Sequence, residues 1–290
     1  MLARKLAGVL LTSLIFVGTA AAIETQEVKT FDVPPGTRVR IANQDGAVRV
    51  NSWQQPQVRM IARRKAQAMS RQMERKLLSL MQVRSEMRGP DLFIEGRVES
   101  VSIFGFASYS LELEITVPRK TDMQVRCRDG SVELAGLVGS LDARTHDGSI
   151  RARDLAGDIA LATQDGSLDL DEVNNRVRAQ TSDGSIRYRG RPERLELRTS
   201  DGSIHAEVLP GAQMVGNWSL RTSDGSISLT LPRDLSASLE ADTESGHVMV
   251  DLPGIERPSR SRERYVGKLN AGGYILSVHT SDGSVRVTTR

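Results

Sequence analysis

From Leu141 onward, apolar and polar residues alternate in short runs broken by Asp-Gly-Ser triplets. Leu141, Ala143 and Thr145 alternate with Asp142, Arg144 and His146. After the triplet, Ile150 and Ala152 alternate with Arg151 and Arg153. A period of two reads as half-buried strand. Asp-Gly is a strong turn pair, because glycine tolerates positive φ and aspartate can bond the backbone ahead. The triplet recurs at Asp129, Asp147, Asp165, Asp183, Asp201, Asp224 and Asp282, with four successive intervals of 18 residues and then one of 23. A threonine precedes each aspartate by two positions from Thr145 onward, Cys127 takes that slot in the first copy, and an aliphatic residue follows each serine. An early copy reads Asp45-Gly46-Ala47 and a degenerate one Ser245-Gly246-His247.

Such a repeat could be a meander of antiparallel hairpins or a solenoid with one coil per repeat. The outward positions decide between them. One column reads Glu133, Arg151, Asp169, Arg187, His205 and another Arg153, Asp171, Arg189, Glu207. Both alternate in sign at the repeat period. Coils stacked in register bring these side chains about 4.8 Å apart on parallel strands, where opposite charges support pairing. The inward columns Ile150/Leu168/Ile186/Ile204 and Leu141/Ile159/Val177/Leu195 form aliphatic ladders. The expectation is an all-β fold, a single-chain parallel β-solenoid of 18-residue coils with right-handed crossovers.

The chain resembles the bacterial putative-adhesin family of β-strand-repeat proteins, a family of unknown function. The resemblance covers most of the chain. It rests on Phe31-x-Val33-x-x-Gly36 leading to Val39-x-Ile41-x-Asn43-x-x-Gly46-x-Val48-x-Val50, on Val117-Pro118 and on the Thr-x-Asp-Gly-Ser copies. The family's turns usually read Ser-Gly-Asp, whereas Asp-Gly-Ser dominates here. The resemblance implies a β-solenoid of the envelope or cell surface and supplies no catalytic residues.

Two stretches interrupt the repeats. Ala66, Met69, Met73, Leu77, Leu80 and Met87 fall at spacings of three, four or seven and predict an amphipathic helix over 63–88, ended by Gly89-Pro90. It carries Arg63, Arg64, Lys65, Arg71, Arg75, Lys76, Arg84 and Arg88 against Glu74 and Glu86. Such a face is either solvated above a packed Met/Leu face, or meets an anionic membrane or acidic partner. Phe104 and Phe106 are an apolar pair that fills core beneath a loop or meets a partner. Residues 254–272 read as a protruding basic loop.

Charge and composition narrow the classes. Arg4 and Lys5, an apolar run to Val17 and Ala20-Ala21-Ala22 have the layout of a signal peptide over 1–22, leaving 23–290 as a single domain. The precursor's formal charge of +3 falls to +1 without residues 1–22, too little for a general nucleic-acid binder. The address is then the periplasm or cell surface. The one cysteine, Cys127, allows no internal disulfide.

Candidate chemistry is sparse. His146, His205, His247 and His279 fall in different columns, and no phosphate loop or zinc-type cluster appears. The row Asp129, Asp147, Asp165, Asp183 and Asp201 could attract a cation such as calcium, although each carboxylate could instead accept an N–H within its own turn. Asp169, Asp171, Arg187 and Arg189 are the one cluster suited to a calcium-dependent polysaccharide lyase. The reading is a non-enzymatic envelope or surface interaction scaffold without a cofactor. The alternative is a periplasmic module that binds a membrane or protein partner through the basic helix. The last repeat, at Asp282, would leave an open sheet edge that a partner, a second copy or a folded-back loop covers.

Overall fold

The computed structural model describes residues 9–19, 22–99, 107–253 and 255–289, and only the backbone for 9–19, 22 and 255–260. The described chain is all-β with a single helix. Where the sequence reads as one domain, the chain forms two compact units. One runs up to Val138 and includes Ala143–Thr145; the other comprises Gly139–Asp142 and His146–Arg290.

The first unit holds β1 (Val9–Thr19), β2 (Ala22–Asp32), β3 (Arg38–Asp45), β4 (Val48–Trp53), β5 (Gln57–Ala68), α1 (Arg71–Leu80), β6 (Met81–Arg88), β7 (Asp91–Val98), β8 (Ala107–Pro118), β9 (Met123–Asp129) and most of β10 (Val132–Arg144). One run of paired strands is β6–β7–β3–β9, antiparallel at β6–β7 and parallel beyond. A second is β1–β2–β5–β8–β4–β10, with its last two pairings parallel. Strand alternation turns Val39, Ile41, Leu92, Ile94 and Val125 into the core and leaves arginines outside. Asp45 lies opposite Asp129, so the early Asp-Gly turn stacks on the first full repeat.

The second unit continues with β11 (Ile150–Ala162), β12 (Leu168–Gln180), β13 (Ile186–Gly190), β14 (Pro192–Arg198), β15 (Ile204–Val208), β16 (Trp218–Asp224), β17 (Ile227–Leu231), β18 (Ala237–Ser245), β19 (Val248–Asp251), β20 (Ile255–Arg260), β21 (Arg264–Leu269), β22 (Ile275–Asp282) and β23 (Val285–Thr289). Ile150 pairs with Leu168, Leu168 with Ile186, and Ile186 with Ile204, all parallel and each 18 residues apart. The expected charge columns follow this register: Arg153, Asp171, Arg189 and Glu207 lie opposite one another in succession.

The motif residues divide the work of the turn. Thr163, Thr181 and Thr199 are buried and donate Oγ1 to the carbonyls of Gly148, Gly166 and Gly184 at 2.7, 2.7 and 2.8 Å. Ser149, Ser167 and Ser185 accept the N–H of the serine one repeat on. Glycine is required because a Cβ on Gly184 would stand 2.0 Å from the Gly166 carbonyl oxygen. The N–H groups of Asp165, Asp183 and Asp201 donate to His146, Gln164 and Ser182 of the preceding turn. Among the described bonds, these carboxylates accept none from their own turns.

Three sequence expectations are corrected. The helix over 63–88 is a strand, a short helix and a second strand: β5, α1 and β6. Spacings of four fit a strand as well as a helix, and Met81-Gln82-Val83-Arg84 alternates at period two. Ser70 caps α1 by accepting the Met73 N–H, and Gly89, with φ of 61°, makes the β6–β7 turn instead of a helix stop. The loop at 254–272 contains the antiparallel pair β20–β21. The Asp282 repeat is not the end of the stack: β22 lies between β16 and β18, and β23 between β17 and β19. The degenerate repeat is outermost, and β21 covers β18 antiparallel. The open edge expected at the last repeat is thus paired within the chain.

The segment expected to be a signal peptide, 1–22, lies partly outside the described residues; its 9–19 stretch is β1, paired with β2. No described helix is long and apolar enough to cross a membrane.

Candidate functional site

The basic segment is largely paired within itself and its neighbours. Arg63 bonds Glu114 at 2.7 Å, Arg64 bonds Glu27 at 2.6 Å, and Lys65 lies 3.5 Å from Glu112. Arg71 meets the buried Glu74 at 3.1 Å, and Arg88 meets Glu86. Burial works to raise the Glu27 pKa, but Lys29 and Arg64 overcome it and hold the carboxyl below its usual range. Arg75 and Lys76 are exposed on α1. The eight basic residues therefore do not form one helical face. Phe104 and Phe106 lie outside the described residues.

The aspartate row is exposed at Asp147, Asp165, Asp183 and Asp201. His146, dismissed at the sequence level because the histidines fall in different columns, joins two of its members. His146, Asp147 and Asp165 each offer a ligand atom, all within 4.8 Å of one another, and all three are exposed. In the first unit Asp45 and Asp129 face each other. Burial, and then the Asp129 charge, raises the Asp45 pKa. The remaining histidines are dispersed: His279 lies 2.6 Å from Asp242, and His247 accepts from Arg262 at 2.8 Å.

In the cluster considered for a lyase, Asp169 lies opposite Arg187 and Asp171 opposite Arg189. Arg189 bonds Asp171 at 3.0 Å and Glu172 at 2.8 Å. The Asp171 hydrogen bond leads in raising the Arg189 pKa, so the guanidinium is held charged. A base must do the opposite and shed its proton. Cys127 is buried, and burial pushes its thiol up to about 11, away from nucleophilic use.

The structure assembles a charged face that the sequence reading did not. On the outward side of β6–β7–β3–β9 stand Arg84 and Arg88 from β6, Arg97 from β7, Arg38 and Arg40 from β3, and Arg126 and Arg128 from β9. Against these seven guanidinium groups the same positions carry three carboxylates, Glu86, Asp91 and Glu95, and Arg128 pairs with the neighbouring Asp129 at 3.2 Å. Asp91 receives Nε of Arg38 at 2.8 Å and Nε of Arg40 at 2.7 Å, one on each oxygen. Burial acts to raise its pKa, but the two arginines win and hold it below the ordinary carboxylate range. The Arg40 and Arg88 guanidinium carbons lie 5.6 and 5.0 Å from the Phe93 ring centroid, a cation–π arrangement. Arg97 bonds Glu95 at 2.6 Å, Arg84 donates to Gln82 at 3.3 Å, and Arg126 donates to the Val125 carbonyl at 3.1 Å.

Ala42 is the small residue in the middle of this face, with Glu95 on one side and Arg126 on the other. Its short side chain leaves a hollow of about 330 Å³ bounded by Arg40, Arg84, Phe93 and Arg97. A second hollow of about 390 Å³ reaches Arg128 and shares Ala42, Glu95, Arg97 and Arg126 with the first. Together they form one elongated groove. Its signal in the sequence was the alternation Arg38-x-Arg40 and Arg126-x-Arg128, legible as one surface only once β3 and β9 are known neighbours.

Among solved structures, the chain is similar to a putative cell adhesion protein from Clostridium sporogenes ATCC 15579, with 9% identity over 92% of this chain and 100% of that one and a TM-score of 0.28. It is also similar to a putative adhesin from Bacteroides fragilis NCTC 9343, with 9% identity, coverage of 91% and 97%, and a TM-score of 0.37. A putative adhesin from Parabacteroides merdae ATCC 43184 shows 8% identity, coverage of 90% and 95%, and a TM-score of 0.40. No curated protein matches the chain. The Toastrack DUF4097 model matches residues 58–288, and the chain belongs to that family, a domain of unknown function.

Proposed function

We propose that the chain is an exported, non-catalytic interaction scaffold of the cell envelope or surface. In this reading residues 1–22 are removed as a signal peptide, and the body is a β-solenoid of 18-residue coils with right-handed crossovers. The outward face of β6–β7–β3–β9 is its contact surface. The observation that carries the reading is the charge on that face, seven arginines against three carboxylates at the same positions, with six of the arginines lining one groove. On β5, by contrast, Arg63, Arg64 and Lys65 each meet an acid, Glu114, Glu27 and Glu112. An unbalanced cationic surface on a rigid sheet recruits anions.

Co-sedimentation with isolated cell envelopes tests this. The mature chain is expected to sediment at low salt and to be released as salt rises. The double variant Arg84→Glu/Arg126→Glu is expected to stay in the supernatant while melting as wild type does. Equal sedimentation of both proteins would contradict the reading.

A further inference from the structure

We propose that the groove over Ala42 binds a linear, uronate-containing glycan. This rests on the reading of the face as the contact surface and names its ligand.

The face already displays how it holds a carboxylate. Arg38 and Arg40 present two Nε donors, at 2.8 and 2.7 Å, to the two oxygens of Asp91. Paired guanidinium donors suit planar carboxylates, and charge-assisted bonds of this type are the strong ones. Beyond that pair, Arg84 and Arg126 stand at opposite sides of the hollow, in the row Arg84–Glu95–Ala42–Arg126. Three strand steps separate them by about 14 Å. A single anion cannot span that distance, but a chain carrying a carboxylate on successive residues meets both arginines.

The groove's shape selects the polymer. The two hollows share Ala42, Glu95, Arg97 and Arg126 and lead from Arg40 to Arg128 along the strands. The groove is bounded by Arg84 of β6 and Arg126 of β9, three strand spacings or about 14 Å apart. One saccharide chain fits that width, whereas a nucleic-acid duplex does not. A membrane would need exposed apolar residues to enter its surface. The apolar ring here is Phe93, which is half-buried with two guanidinium groups set against it.

The test measures binding of the mature chain to polygalacturonate, neutral dextran, phosphatidylglycerol vesicles and duplex DNA. Polygalacturonate is expected to bind, with affinity falling as salt rises, and dextran is not. Arg84→Ser with Arg126→Ser is expected to weaken binding about ten-fold or more. Glu95→Gln releases Arg97 from its 2.6 Å partner and is expected to tighten binding, a gain that misfolding cannot mimic. A replacement in the second unit, Arg198→Ser, is expected to change nothing. Absence of polygalacturonate binding, binding only to vesicles or DNA, or equal binding by the double variant would each overturn the proposal. If wild type alone sediments with envelopes yet ignores polygalacturonate, the face stands as the contact surface and the glycan assignment falls. If envelope binding is also indifferent to the variant, both fall.

Discussion

Thr181 is 2% exposed, and its hydroxyl reaches the Gly166 carbonyl at 2.7 Å. Its place in the repeat is set by a carbonyl that the close approach of the turns removes from water. Thr181→Val keeps the shape and strands that carbonyl. It is expected to cost about 1–3 kcal/mol, lowering Tm by roughly 3–10 °C, while Thr181→Ser costs less. A valine variant as stable as wild type would show that the threonine is chosen for its branch alone. Asp45 gives a pH-dependent counterpart. Its folded pKa is raised above the ordinary carboxylate range by burial and by Asp129. Its contribution to stability is thus full below the unfolded value and lost as pH rises through the folded one. Asp45→Asn is expected to melt about 1–2 °C higher than wild type at pH 7, with the gap closing below about pH 4. A gap of constant size across that range, or of opposite sign, would contradict the assignment. Residues were legible where the repeat multiplied them. The threonine column was visible in the sequence, though its reason was not, because a hydroxyl's acceptor lies one turn away. His146 was missed because its neighbours Asp147 and Asp165 converge on it only once the turns are stacked.

At the scale of elements, the 18-residue interval specified parallel register, and sign alternation selected stacked strands over a meander. Arg178 and Glu196, one repeat apart, meet through two bonds of 2.8 and 3.0 Å, as that alternation requires. The stretch over 63–88 failed for a physical reason: methionines and leucines spaced by four satisfy both periods, and only partner strands decide between them. The edge of β7 gives β6 its pairing, and no local signal encodes that edge. Glycine placement tests the stacking directly. Gly184→Ala sets a Cβ 2.0 Å from the Gly166 oxygen and is expected to cost about 3 kcal/mol or more. Gly36→Ala meets nothing within 4 Å and bears only the strain of a φ of 81°, about 1–2 kcal/mol. Comparable melting losses for the two variants would mean that the turns do not approach as closely as described.

At the scale of the whole molecule, sequence order and spatial order part company. The repeat of Asp282 enters between those of Asp224 and Ser245, so the chain's last copy is flanked on both sides. Likewise β3 sits between β7 and β9, which lie 53 and 84 residues away in register. The arginine face is a product of that second rearrangement. Its members come from four strands scattered from Arg38 to Arg128, and the summed charge of the segment over 63–88 pointed at one helix, whereas Arg63, Arg64 and Lys65 lie on β5 and pair with acids of β8 and β2. Arginine-directed labelling of the mature chain bound to isolated envelopes, read residue by residue, tests the central claim most directly. Arg84 and Arg126 are expected to become protected on binding, while Arg198 and Arg221 of the second unit stay as reactive as in free protein. Protection confined to the second unit, or unchanged reactivity at Arg84 and Arg126 in the bound fraction, would contradict the account.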